Sequence, residues 1–181
     1  VQGQGIMGPD GRPVRGLTIL TPPADYDPLR AMIGILVQEW LKKLGISINA
    51  RPMAFGALTD RVKVRREFDL FVLGFGNLSL DPDYLRTFFH SGNDRPRGWN
   101  TSGYRNPDFD RLAEDSATIV DPARRREVIW EMQRILARDL PFLPLYTPKL
   151  IEAVRSDRFE GWVQMVGGIG NTWSFCRIRE K

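Results

Sequence analysis

Side chains able to do covalent or acid–base chemistry are few and scattered along this chain. His90 is the only histidine, in Phe89-His90-Ser91-Gly92. No histidine-based metal site can be assembled, and a Ser–His or Cys–His nucleophile would depend on that residue alone. Its place at an expected helix end favours a capping or solvent-facing role. Cys176 is the only cysteine, which excludes an internal disulfide framework and a thiolate-rich metal site. In an aromatic, basic tail it reads as a buried or incidental thiol. Asp81 and Asp83 read first as a helix N-cap and a first-turn acid; as general acid and base they would need an apolar pocket. Gly167-Gly168-Ile169-Gly170 lacks the preceding strand, following helix and acidic partner of a dinucleotide fingerprint. These residues point to no enzyme, no cofactor and no metal, with a small hydrolase built on His90 as an alternative.

Binding is better served. An apolar run, Asp69 to Phe75, leads straight into Gly74-Phe75-Gly76-Asn77-Leu78-Ser79-Leu80-Asp81-Pro82. In open α/β sheets the ligand crevice lies beyond the carboxyl ends of the strands. Two glycines around an aromatic leave backbone N–H and C=O groups accessible beside a flat ring. Two explanations stand for Gly74 and Gly76: main-chain recognition of an extended or flat polar ligand, or a tight exit from the strand.

The elements that must position these residues follow from patterning. Leu17–Thr21 is a short β-type run closed by Pro22-Pro23. Asp27-Pro28 supplies an N-cap and a first-turn proline, and Leu29, Ile33, Leu36, Val37, Trp40, Leu41 and Leu44 recur at helical spacing until Gly45. Ile46–Ala50 alternates as a strand, Phe55–Arg66 reads as a weaker helix with Leu58, Val62 and Val64 inward, and Asp69–Phe75 reads as a strand covered on both faces. The first half is therefore β-α-β-α-β with parallel crossovers. Asp81-Pro82 opens a short helix to Phe89, and a polar loop runs from His90 to Gly103. Asn106-Pro107 and Asp121-Pro122 open two more helices, the second carrying Val128, Ile129, Met132, Ile135, Leu136 and Leu140 inward and ending at Pro141. Phe142–Tyr146 and Leu150–Val154 read as strands ahead of a Gly-rich tail.

With 181 residues, 42% hydrophobic and 27% charged, the composition is that of a globular domain without a membrane-spanning run. The formal charge is +4, and 21 of the 26 cationic residues are Arg. They are scattered among acids, which is the pattern of solvated helix faces and not of the contiguous basic face a nucleic-acid partner needs. A Gly-rich opening at Val1 with no leader pattern leads to the expectation of a piece of a longer protein.

Three stretches in order resemble the C-terminal lobe of family 5 extracellular solute-binding proteins, the dipeptide, oligopeptide and nickel receptors of ABC importers. The first runs from Leu41-Lys42-Lys43-Leu44-Gly45-Ile46 through Phe68-Asp69-Leu70 to Gly74-Phe75-Gly76 and Asp81-Pro82. The second is Asn100-Thr101-Ser102-Gly103-Tyr104-Arg105-Asn106-Pro107-Asp108-Phe109-Asp110-Arg111-Leu112. The third is Asp139-Leu140-Pro141-Phe142-Leu143-Pro144-Leu145-Tyr146. With the strand and the helix that precede the first stretch, the matches run in order from about Leu17 to Gly161.

The resemblance implies an α/β lobe of the type II periplasmic-binding-protein kind, a mixed sheet with flanking helices, closing like a clamshell on a small polar or peptide ligand. It implies residues 1–16 as a leader, 17–144 as the lobe and 145–181 as a return segment toward a second lobe. Partners would be that ligand and ABC permease subunits, in the periplasm or outside the cell at the membrane, with no nucleic acid. A sensor or interaction module on the same fold is the alternative. Gly74, Phe75 and Gly76 take the ligand-backbone role, and Asn77, Leu78, Asp81, Trp99, Asn100 and Tyr104 complete the expected ligand wall. Peptide-binding members carry an amine-holding aspartate where this chain has Leu78. A buried ammonium there would lack a counter-charge, so Asn77, Ser79 or Asp81 substitutes, or the ligand is not a peptide. Tyr146, Trp162, Trp173 and Phe175 are expected to expose apolar surface, allowing this chain to dimerise through its tail.

Overall fold

In the computed structural model, which describes residues 7–8, 11–14, 16–76 and 81–181, the chain divides into two units. One comprises Val1–Gly74 with Thr87–Asn106, the other Phe75–Arg86 with Pro107–Lys181.

The first unit is organised around β1 (Leu17–Thr21), whose successive side chains leave on opposite faces. Asp27 then caps α1 (Pro28–Lys43): its carboxylate accepts the Arg30 N–H at 2.9 Å, and Pro28 occupies the first turn, where no N–H is missed. Gly45, at φ 81°, ends the helix in a left-handed turn closed by Ile46 N–H donating to the Leu41 carbonyl. That bond uses Ile46 for the helix end, so β2 runs Ile48–Pro52, two residues beyond the expected start. α2 (Phe55–Asp60) continues into a π turn at Arg61–Arg65. β3 pairs only at Leu70–Phe71, although Val72 N–H also donates to the Leu20 carbonyl. The strand expected through Phe75 thus stops early, and Gly74 and Phe75 stand exposed.

The three strands are parallel in the order β2-β1-β3, with Leu17 opposite Ile48 and Ile19 opposite Leu70. The α1 crossover runs from β1 to β2 and the α2 crossover runs back from β2 past β1 to β3, and right-handed crossovers in opposite directions put their helices on opposite faces. The core is accordingly split. Ile19, Ile48 and Val72 meet Ile33, Val37 and Leu41 of α1 on one side. Leu20, Leu58 and Val62 meet Met53, Phe68, Phe71 and Leu73 on the other. The inward face of α1 is narrower than its apolar pattern: Leu29, Leu36, Trp40 and Leu44 are exposed. Val64 is also exposed, because the π turn offsets it from Leu58 and Val62. α3 (Tyr84–Phe89) begins in the second unit and ends in the first, where His90 caps a short 3₁₀ turn.

The second unit is built on the helices α4 (Pro107–Thr118) and α5 (Pro122–Asp139), which pack together. Phe109, Ala113 and Ser116 of α4 and Ile129, Met132 and Ile135 of α5 are buried. Asp121 caps α5 by accepting the Arg124 N–H at 2.8 Å. Leu140, expected inside, terminates the helix at φ 47° and is exposed. Phe142–Tyr146 and Leu150–Val154, expected as strands, join no ladder; Leu143, Leu145, Tyr146, Leu150 and Ile151 are exposed. A short antiparallel pair, β4 (Phe159–Glu160) and β5 (Arg179–Glu180), flanks α6 (Thr172–Arg177).

Two glycines in helices test this packing in opposite directions. A Cβ on Gly34 would lie 2.5 Å from Cγ2 of the buried Thr21, so Gly34→Ala is expected to lower unfolding free energy by about 1–3 kcal/mol. A Cβ on Gly56 meets nothing within 4 Å, so Gly56→Ala in α2 is expected to raise it by about 0.5–1 kcal/mol. Urea titration of both variants reads the two signs.

Candidate functional site

At the carboxyl edge of the parallel sheet, the first unit brings together the exits of all three strands. Tyr26, after β1, stacks on Phe55, after β2, with ring centroids 4.8 Å apart and planes 15° from parallel. Gly74 follows β3, and the Arg30 guanidinium packs against it: a Cβ there would sit 3.1 Å from the guanidinium carbon. Arg30 is itself held by Asp27 at 2.8 Å. Neither Gly74 nor Gly76 adopts a positive φ, and a Cβ on Gly76 would point into open space. The backbone therefore does not demand glycine at either position, and Gly74 is explained by the room Arg30 takes.

The loop from His90 to Arg105 carries the other predicted residues of this unit. Trp99 is 45% exposed, set edge-on to Phe88 at 5.4 Å, and one face of its ring carries the Lys63 ammonium at 3.2 Å from the centroid. Burial draws the Lys63 pKa below its ordinary 10.5. Among the described residues no carboxylate pairs with this ammonium. Trp99, expected in the ligand wall, is thus a half-exposed ring capped by a cation.

Asn100 is not a ligand wall in this arrangement. It is fully buried; its amide donates to the carbonyls of Phe89, His90 and Tyr104, the last at 2.8 Å, while its Oδ1 accepts the Tyr104 N–H at 3.1 Å. It folds the loop that presents Trp99 and Tyr104. Tyr104 is half-buried, with its ring edge-on to Phe89 at 6.3 Å. His90 does what its position suggested: its Nδ1 accepts the Gly92 N–H at 3.0 Å as a cap.

The remaining expected residues belong to the second unit or lie outside the described residues. Phe75 is 44% exposed and stacks with Phe142 at 5.9 Å. Asp81 accepts Arg125 Nη2 at 2.9 Å and the Asp83 N–H at 3.0 Å, and the Arg125 hydrogen bond holds its carboxyl below the usual carboxylate range. An acid already neutralised by Arg125 is a poor substitute anchor for an ammonium. Asn77 and Leu78 lie outside the described residues. The Gly167–Gly170 turn holds a carboxylate of its own chain: Ile169 and Gly170 donate N–H groups to Glu152 at 2.7 and 3.3 Å. Cys176 is exposed, so of the two expected readings, buried or incidental, the buried one does not hold.

Sequence reasoning missed Lys63, Arg30 and Arg66. Lys63 and Arg66 sit in a run that reads as an ordinary charged helix face, Arg30 is a single charge in the apolar first turns of α1, and only the tertiary fold aims them at loops distant in sequence. Asn100→Ala is expected to cost about 3 kcal/mol by leaving several backbone groups unpaired, against about 1–2 kcal/mol for the half-exposed Trp99→Ala, as read by thermal unfolding. A lysine pKa lowered by folding means the unfolded chain binds the proton more tightly. Stability attributable to Lys63 therefore rises as pH climbs through its folded pKa toward 10.5, while the cation–π contact is lost over the same window. A ¹⁵N-detected Lys63 titration with a midpoint below 10.5 checks this.

No family model matches the chain. It is 31% identical over 147 residues to the oligopeptide-binding protein AppA of Bacillus subtilis, covering 81% of this chain and 26% of that protein. The structure of AppA, solved in complex with a nonapeptide, superposes with a TM-score of 0.69 at 30% identity over 77% of this chain and 27% of that one. Di/tripeptide-binding protein 4 of Pseudomonas aeruginosa is 30% identical over 136 residues, 75% of this chain and 25% of that protein. A periplasmic oligopeptide-binding protein of Thermotoga maritima, solved with mannohexaose bound, shares the fold over 100% of this chain and 36% of its own, with a TM-score of 0.73 at 21% identity. The chain spans about a quarter of the length of these curated relatives. In sequence and in backbone alike, it is a segment of the α/β, type II periplasmic-binding fold of the family 5 solute-binding proteins.

Proposed function

We propose that this chain is the ligand-binding lobe of an ABC-importer substrate-binding protein that captures a peptide by clamshell closure and delivers it to a permease. The observation that carries this is the shared sequence and backbone with an oligopeptide-binding protein solved around a nonapeptide. Residues 17–144 form the lobe, and 145–181 are the segment that returns toward a second lobe. The protein works outside the cytoplasm, tethered at the membrane face where its permease lies. Its relatives are binding proteins, and its mechanism is a shift of the open–closed equilibrium by ligand, not catalysis.

Local chemistry supports that reading. Trp99 offers a ring face to an apolar side chain or a planar amide, and the Lys63 ammonium over its other face offers a charge to a ligand carboxylate. Phe75 supplies a second exposed ring. The second reading, a polar solute other than a peptide, is favoured by Leu78 in the place of the amine-holding acid.

Calorimetry of the intact polypeptide with trialanine is the test. Binding, weakened about tenfold or more in Phe75→Ala and Trp99→Ala, is the expected result. Unchanged affinity in both variants overturns the site, and native mass spectrometry showing a co-purified non-peptide solute favours the second reading.

We further propose that the 181-residue chain self-associates through its tail, where Tyr146, Trp173 and Phe175 are exposed while Trp162, expected among them, is half-buried. Light scattering is expected to show a dimer, and a strict monomer at high concentration overturns this.

A further inference from the structure

Arg66 stands in a backbone conformation that a non-glycine residue adopts at a cost. At φ 60° and ψ 35° it closes the π turn in the left-handed region, worth about 1 kcal/mol of strain. The turn before it is itself uncommon, since π turns are mostly isolated bulges in helices and frequent at functional sites. What this backbone achieves is visible in the side chain. Arg66 Nη2 donates to Asp94 Oδ1 at 3.1 Å, to the Arg95 carbonyl at 3.3 Å and to the Asn100 carbonyl at 2.8 Å. These acceptors flank Trp99. The other oxygen of Asp94 accepts Arg105 Nη2 at 2.8 Å, so a single carboxylate joins Arg66 to the far end of the same loop. The Arg66–Asp94 pair is mostly buried, with side chains 23% and 20% exposed, where a charge-assisted contact is screened less than on an open surface.

The same turn also contributes the group that Trp99 meets. Lys63, three residues before Arg66, places its ammonium on the Trp99 ring, and its carbonyl accepts the Arg97 N–H at 2.7 Å. A Cβ on Gly98 would collide with the Asn93 carbonyl, so the backbone beside Trp99 is packed too closely to shift alone. The turn and the loop thus meet at several fixed points on either side of one half-exposed ring.

We infer that Arg66 is a positioning residue: by clasping Asp94 and the carbonyls of Arg95 and Asn100, it sets the Trp99 ring beneath the Lys63 ammonium. The consequence for ligand binding rests on the proposal that Trp99 is a ligand surface; the placement of the ring does not. Lysine cannot replace Arg66, because all three contacts converge on the one Nη2, which the rigid guanidinium plane carries farther than the shorter, more flexible lysine stem holds its ammonium.

The test is the NMR shift of the Lys63 ε-methylene protons in the unliganded 181-residue chain, which the indole ring current moves upfield. Arg66→Ala and Arg66→Lys are both expected to return these protons to the ordinary lysine range while the amide spectrum stays folded. Asp94→Asn, which keeps the shape and one acceptor oxygen, is expected to do so in part. Loss of stability with the Lys63 shift intact, in whichever of these variants folds, overturns the inference and leaves Arg66 a structural residue only. Trialanine calorimetry on the same variants separates the two claims. If Trp99→Ala binds like the parent, the ligand reading fails, whereas the ring-current result still decides the role of Arg66.

Discussion

Burial of β1 on both faces is the constraint from which the first unit follows. Ile19 and Leu20 are adjacent in sequence, yet each belongs to a different half of the core, at 3% and 1% exposure. A five-residue strand can do this only at the centre of a parallel sheet with a helix on each side. Once β1 is central, the crossover through α1 must leave in one direction and that through α2 in the other. Both β2 and β3 then point their carboxyl ends at the edge where Tyr26, Phe55, Arg30 and Gly74 gather. Gly34 reflects the same constraint, since α1 lies so close to β1 that a methyl group would strike Thr21.

The second dependency is polar. The loop from His90 to Arg105 has little apolar content to bury, so its shape is carried by hydrogen bonds that converge on Asn100. A buried amide satisfied at every atom makes a loop specific because each alternative conformation strands a donor or an acceptor. This is why an asparagine in a recognisable motif turned out to face inward: the motif encodes the loop, and the loop in turn presents Trp99 and Tyr104. The aspartate at 81 behaves similarly, spending its charge on Arg125 and a turn instead of on a ligand.

The arginine excess has a comparable explanation. Arg158 reaches Glu180 at 2.8 Å and Arg179 reaches Glu160 at 2.6 Å, bracketing the two-residue pair β4–β5 with exposed ion pairs. Such pairs are worth little individually, but they show positive and negative charge interleaved on this tail and not collected into a basic face. The Gly-rich turn at Gly167–Gly170 follows the same economy, its amides filled by Glu152.

Helix ends and strand order were legible in the residues because their causes are local. Asp27-Pro28 and Asp121-Pro122 cap helices through contacts within a turn, and β1 begins and ends where Gly16 and Pro22 require. The family was legible for a related reason, since three motifs in order survive without their tertiary context. Tertiary structure decided what depended on distant partners. It ended the β3 ladder at Phe71, opposite Leu20, because β1 itself runs out at Thr21 ahead of Pro22. It left Phe142–Tyr146 and Leu150–Val154 without a ladder, and it exposed Leu29, Leu36 and Trp40 on a helix whose pattern alone would bury them. The site divides in the same way. Phe75, at a strand exit, and Trp99, in a polar loop, could be singled out, but Lys63 and Arg66 could not, because a charge in a helical run becomes a ring's partner or a loop's clasp only when a π turn and a crossover bring it there.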